Sequence, residues 1–146
     1  MSFDVAVVGN IAAGKTTLCN RFVDLSGYRY VAEPYAENKY LEPFYKNPHR
    51  YAYKVQRTFL DARRKNYEDS HSRGLGNIFD NHLLQDVVFA RAVYDMGWMT
   101  DVQYQYYLAA YEKAVEGVRV PDVFVFLDVS PSVSFERCKR RRASDP

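Results

Sequence analysis

Residues 9–17 read GNIAAGKTT and follow directly on the apolar run FDVAVV at residues 3–8. A glycine, four residues and then Gly-Lys-Thr is the complete P-loop spacing. It allows few architectures: an apolar strand must enter the loop and a helix must leave it. Gly9 and Gly14 let the backbone turn so that successive N–H groups point at phosphate oxygens. The helix from about residue 15 to 25 turns its positive end on the same anion. Gly9, Asn10, Ile11, Ala12, Ala13, Gly14, Lys15, Thr16 and Thr17 are therefore the candidate phosphate-binding residues. Lys15 supplies a mobile charge for the outer phosphates, and Thr16 a hydroxyl where Mg²⁺ would bridge them. The bland alternative is a glycine-bearing turn that happens to precede a lysine. It does not account for a motif complete in every part and set between an apolar strand and an amphipathic helix.

Beyond the loop, short β-rich runs alternate with longer helical patterns. FDVAVVG, YRYVAEP, LGNIFD and PDVFVFLDVS read as strands; helices are expected at about 48–70, 83–96, 101–116 and 131–142. That order predicts a parallel sheet with covering helices. VFVFLDV is apolar on both faces, which predicts a central buried strand. Ligands bind past the strand ends of such sheets. The candidate positions are thus the P-loop, Glu33-Pro34, Asp80-Asn81-His82 and Ser130-Pro131.

At 146 residues the chain is one domain by length, and 47% hydrophobic residues suffice for a core. A formal charge of +2 implies no nucleic-acid surface. Cys19 and Cys138 match no metal or redox spacing and are expected as free thiols in a reducing compartment. There is no basic-then-apolar leader and no run of 18 apolar residues, so the expectation is a soluble, cytoplasmic protein with no membrane contact.

Glu33 closes VAEP, where Pro34 biases it toward an extended conformation and holds its carboxylate. A carboxylate so placed can take the proton of an attacking hydroxyl, the general-base role in phosphoryl transfer; an exposed loop glutamate is the alternative. The next stretch carries FYKNPHRYAYKVQ with a downstream arginine. After it come Asp80 and Asp86 in a D-x5-D segment, then DMGWMTDVQYQYY, PDVFVFLDVSP and ERCKRRR. With the P-loop and the EP after strand two, these make the chain resemble the deoxynucleoside kinases, in particular the bacterial-type deoxyadenosine/deoxyguanosine kinases. The resemblance covers essentially the whole chain.

The resemblance implies a P-loop NTPase-type three-layer α/β fold: a central parallel sheet, helices on both faces and an arginine-rich lid at the C-terminal end. It implies ATP and Mg²⁺ as cofactors, a deoxynucleoside as acceptor, and a homodimer joined through helices, with QYQYYLAAY as that surface or simply core. Residue by residue, Glu33 resembles the base that takes the 5′-hydroxyl proton, and Tyr45 the partner of the sugar 3′-hydroxyl. Gln56 resembles the amide that pairs with the nucleobase, Arg63 the arginine that orients an acidic partner, and Asp86 that partner. An aspartate accepting from an exocyclic amino group favours adenine or cytosine over thymine. Thr16 and Asp80 would hold Mg²⁺, and Arg137 and Arg141 match the lid. Read from the residues alone, Gln56 and Arg63 lie on a solvated helix face, Asp86 is an exposed first-turn carboxylate favourable to the dipole, and Tyr45 is a packing aromatic. The basic ending then complements a helix C-terminus or serves as a localisation signal.

Two departures stand out. In the family, arginine and serine follow the acidic residue after the third strand; here Asn81 and His82 do. Asn81 cannot supply that charge, a loss of roughly 10²- to 10³-fold in rate by analogy with removal of an oxyanion donor; a protonated His82 would substitute in part. The family chain also continues with a further strand and helices, so residues 1–146 read as a single kinase-like domain lacking them. Two rivals stay open. A nucleoside-monophosphate kinase is disfavoured because Glu33 would repel an acceptor phosphate. A catalytically silent kinase-fold subunit does not require an intact Lys15, Thr16 and Glu33.

Overall fold

The computed structural model describes residues 3–71 and 76–144, the side chains of 142–144 aside. Leu75, which the sequence pattern assigns to the third strand, lies outside the described residues. The chain divides into two compact units: one of Met1–Ala32, Gly74–Asn81 and Pro121–Pro146, and one of Glu33–Arg73 and His82–Val120.

The first, the sheet unit, holds strands β1 (Asp4–Gly9), β2 (Arg29–Val31), β3 (Asn77–Asp80) and β4 (Val123–Leu127), with helices α1 (Lys15–Ser26) and α6 (Pro131–Ser144). The four strands form one parallel sheet in the order β2-β3-β1-β4. β1 is the apolar run before the P-loop, and its Val5 and Val7 pack with Cys19 of α1 and Ile78 of β3 into one core cluster. At the entry end, Asp4 ties β1 to β3 and to Asp122, the residue before β4. Its N–H donates to Asp122 Oδ2 at 2.8 Å, and its Oδ1 accepts from Asn77 Nδ2 at 2.9 Å. At the exit end, a Cβ on Gly9 would stand 2.9 Å from the Leu127 carbonyl oxygen, so the close β1–β4 approach requires glycine. Ser130 caps α6 by accepting from the Val133 N–H at 3.4 Å, and Pro131 takes the first helical position.

β4 is not central: among the described residues it pairs with β1 alone at an end of the sheet, and Phe124 and Phe126 are 45% and 68% exposed. A doubly apolar run reports the chemistry of a strand's two faces, not how many neighbours it has.

The helical unit contains α2 (Leu41–Lys46), the 24-residue α3 (Pro48–His71), α4 (Asp86–Asp95) and α5 (Asp101–Val115), with a short 3₁₀ turn at Leu83–Gln85. The buried stripe of α3 runs Ala52, Val55, Phe59, Leu60, Arg63, Tyr67 and Ser70, spaced by three and four residues as one helical face. Arg63 is thus a charge set into an otherwise core-facing stripe. Leu60, Leu83, Ala90, Val93, Tyr104 and Tyr107 are among the residues of this core. Full burial of a leucine such as Leu60 stabilises by about 1.5–3 kcal/mol. Thr100 and Gln103 close a capping box at the start of α5, each side chain accepting from the other's N–H. Two tyrosines of this unit spend their hydroxyls on backbone: Tyr111 donates to the Leu84 carbonyl, and Tyr67 accepts from the Arg119 N–H, both at 2.7 Å. No described helix is long and apolar enough to cross a membrane.

Candidate active site

In the sheet unit the loop after β1 folds tightly. Gly14 takes a positive φ of 100°, and Ala12 also lies in the left-handed region at 57°. The Ala13 N–H closes back on the Asn10 carbonyl at 3.2 Å, and the Asn10 side chain accepts from the Ile11 N–H at 3.0 Å. Lys15 is buried and donates to the carbonyls of Gly9 and Asn10 at 3.2 and 2.8 Å, so its ammonium sits on the loop it follows. Thr16 Oγ1 donates to Asp80 Oδ2 at 2.5 Å, joining the start of α1 to the end of β3. Asp80 Oδ1 is buried without a hydrogen-bond partner among the described residues. Arg137 of α6 donates to the Ala12 and Ala13 carbonyls at 3.2 and 3.3 Å. With Gly14, Thr17 and Arg141 it lines a groove of about 630 Å³. The basic run therefore lies along a helix in this structure.

Tyr30 belongs to no motif in the sequence, yet its hydroxyl donates to Asp80 Oδ2 at 3.0 Å, sharing that oxygen with Thr16. Burial and the Asp80 charge raise its pKa, so it remains a donor. The signal that identifies it, the β2–β3 pairing of Tyr30 with Ile78, is a tertiary fact. Burial, with the Asp80 charge adding to it, pushes the Cys19 thiol up to about 12, which removes it as a nucleophile. Both cysteines are free.

In the helical unit three predicted residues come together. The Arg63 guanidinium fork donates through Nη1 to Asp86 Oδ1 and through Nη2 to Glu33 Oε1. All three side chains are at most 8% exposed. Arg63 also stands over the Phe59 ring at 5.0 Å. The solvated-face reading of Arg63 does not hold, nor does the exposed first-turn reading of Asp86, because α3 and α4 turn both residues inward. Burial pushes Asp86 up to about 7; Arg63 opposes the rise and the Glu33 charge adds to it. Asp86 Oδ2, Arg63 Nε and Tyr107 Oη are buried and have no hydrogen-bond partner among the described residues. Glu33 stands at a tight turn: Pro34 sits inside it, and the Tyr35 N–H closes on the Glu33 carbonyl at 2.9 Å.

Gln56 is half-buried on α3, one heptad before Arg63, and Tyr45 is 61% exposed on α2, its ring beside Phe44. Asn81 takes a left-handed φ of 60°, a conformation asparagine tolerates well, and its buried Oδ1 has no hydrogen-bond partner among the described residues. His82 does not supply the missing cation. It is 1% exposed, and its Nδ1 accepts from the Leu84 N–H at 3.2 Å, which requires a lone pair there rather than a proton.

A family described as Deoxynucleoside kinase matches residues 5–145. A deoxyguanosine kinase of Dictyostelium discoideum is 32% identical over 142 residues, covering 94% of this chain and 50% of the relative. A deoxyadenosine kinase of the same organism is 32% identical over 137 residues, covering 94% and 56%. The chain spans about half the length of these curated relatives. Among solved structures, the deoxyadenosine kinase from M. mycoides with products dCMP and a flexible dCDP bound is similar at a TM-score of 0.87 and 30% identity, over 97% of this chain and 72% of that one. The match runs from β1 into α6 and takes in both the phosphate loop and the Glu33–Arg63–Asp86 cluster, and the chain belongs to the deoxynucleoside kinase family.

Proposed function

We propose that this chain carries the catalytic groups of an ATP-dependent deoxynucleoside kinase, which phosphorylates the 5′-hydroxyl of a purine or cytosine deoxynucleoside. The observation that carries this reading is the buried Glu33–Arg63–Asp86 cluster in a chain with a complete P-loop. The 5′-oxygen bonds to the γ-phosphorus as its proton passes to Glu33, and the bond to the β-phosphate oxygen breaks to leave ADP. The loop N–H groups and Lys15 hold the outer phosphates, and Arg137 and Arg141 stabilise the transferring group as a lid. Thr16 Oγ1 and the buried Asp80 Oδ1 fit a magnesium ion, which keeps few protein ligands; when bound it neutralises charge on the phosphates.

On the acceptor side, Asp86 Oδ2 offers an acceptor and Arg63 Nε a donor, complementary to an exocyclic amino group beside a ring nitrogen. Gln56 pairs with the same base and Tyr45 with the 3′-hydroxyl. The two carboxylates of the cluster weigh against an acceptor that already carries a phosphate. Exposed Val88 on α4, with Val102 and Tyr106 on α5, offers an apolar surface for a homodimer through these helices; the cytoplasm is the compartment that goes with this reading.

The test is phosphate transfer from radiolabelled ATP to the four deoxynucleosides, with the wild-type chain and with Glu33→Gln. Transfer that the substitution lowers about 10³-fold, with ATP affinity unchanged, supports the reading. A folded chain that binds ATP with Mg²⁺ and transfers to no acceptor favours the silent kinase-fold subunit.

A further inference from the structure

Arg63 holds two carboxylates that do different work. In the kinase reading, on which this inference rests, Glu33 faces the reacting hydroxyl and Asp86 faces the nucleobase. One guanidinium serves both, Nη2 to Glu33 and Nη1 to Asp86, inside a unit where all three are nearly excluded from water. Two buried carboxyl groups share one cation, so each weakens the other's claim on Arg63. The imbalance falls on Asp86, which burial, aided by the Glu33 charge, pushes up to about 7. Asp86 also keeps a second oxygen buried and without a hydrogen-bond partner among the described residues. The other titratable groups acting on Asp86 are Tyr107 and Tyr111 of α5, with Arg57 of α3 acting in turn on Tyr107. Burial raises both tyrosines, so neither supplies an anion or a cation that could settle the competition.

We infer that Arg63 is a positioning residue that couples recognition of the base to release of the catalytic carboxylate. A base that donates an amino N–H to Asp86 Oδ2 stabilises the ionised carboxylate, which draws the guanidinium toward Asp86. The pull loosens the Nη2 bond to Glu33 and leaves Glu33 Oε1 open to the 5′-hydroxyl. A base without that amino group leaves Arg63 on Glu33. The amino group thus acts on turnover as well as on binding, and the acceptor that fits Asp86 switches on its own proton acceptor.

Linkage makes the coupling reciprocal, so it can be read without turnover. Dissociation constants are measured by calorimetry, in the absence of ATP, for deoxyadenosine and purine 2′-deoxyriboside and for deoxycytidine and its 4-desamino analogue. Glu33→Gln removes the competitor for Arg63 and is expected to tighten the amino-bearing member of the recognised pair about fivefold or more, leaving the desamino member within about twofold. With Arg63→Lys, whose ammonium cannot fork to both carboxylates, that selective tightening should vanish. If Arg63→Lys fails to fold, Asp86→Asn serves in its place, because its amide does not compete as an anion. Equal effects of Glu33→Gln on both members, or weaker binding of the amino-bearing one, overturn the coupling. Because this readout needs no phosphate transfer, a chain that couples binding without turnover would refute the activity alone. In an active chain, loss of the amino group should lower kcat about tenfold; a change confined to KM also overturns the inference.

Discussion

In the sheet unit the candidate phosphate site is assembled from consecutive residues, Gly9 to Thr17, and its contacts are largely backbone groups: loop carbonyls receive Lys15 and Arg137. In the helical unit the charges come from positions far apart, Arg63 lying 30 residues from Glu33 and 23 from Asp86, and every contact is side chain to side chain. The first arrangement depends on φ angles and close approach, so it is sensitive to glycine and indifferent to much else. The second depends on charge balance under burial, so a change at any member is felt by the other two.

The difference can be broken most sharply at Arg63. Arg63→Met leaves Glu33 and Asp86 buried without their cation and should cost about 3–5 kcal/mol in urea unfolding. Adding Glu33→Gln and Asp86→Asn should recover most of that loss, since it is unpaired charge and not lost packing that destabilises. A smaller effect follows from Asp86, raised from 3.8 to about 7. A carboxyl with a raised folded pKa contributes stability that is whole below about pH 4 and is lost as pH rises through 7. Between pH 5 and 8 the wild type should therefore lose stability relative to Asp86→Asn, by roughly 2 kcal/mol. Urea titrations at four pH values measure the slope, and a flat or opposite slope would remove Asp86 as its source. The sheet unit should respond least. Tyr30→Phe deletes one hydrogen bond to Asp80, for about 1 kcal/mol, and should raise the Mg²⁺ concentration needed for ATP binding while leaving metal-free ATP binding unchanged. Equal weakening of both would mean that Tyr30 does not act through Asp80.

The same contrast separates the parts of the molecule that are legible in its sequence from those that are not. The P-loop is legible because its conformation is decided within nine positions, and the parallel order of strands follows from alternating periods. The pairing of Arg63 with Asp86 is suggested only by resemblance, while the residues alone argue for a solvent-facing helix. The second bond from Arg63, to Glu33, has no sequence signal. β4 reads as a central strand because its apolar faces, with Phe124 and Phe126 largely exposed, look the same at an edge as at a centre. His82, a possible cation by its residue type, is instead a buried cap that accepts an N–H.

By itself, then, the sequence determined the phosphate loop, the strand that enters it and the helix that leaves it, because local backbone geometry and hydrophobic period act over a few residues. Only the tertiary structure decided that one guanidinium answers to two carboxylates, that Tyr30 shares Asp80 with Thr16, and that among the described residues β4 pairs with β1 alone. Each of those depends on which distant side chains lose their water together, and that is settled by packing rather than by spacing along the chain.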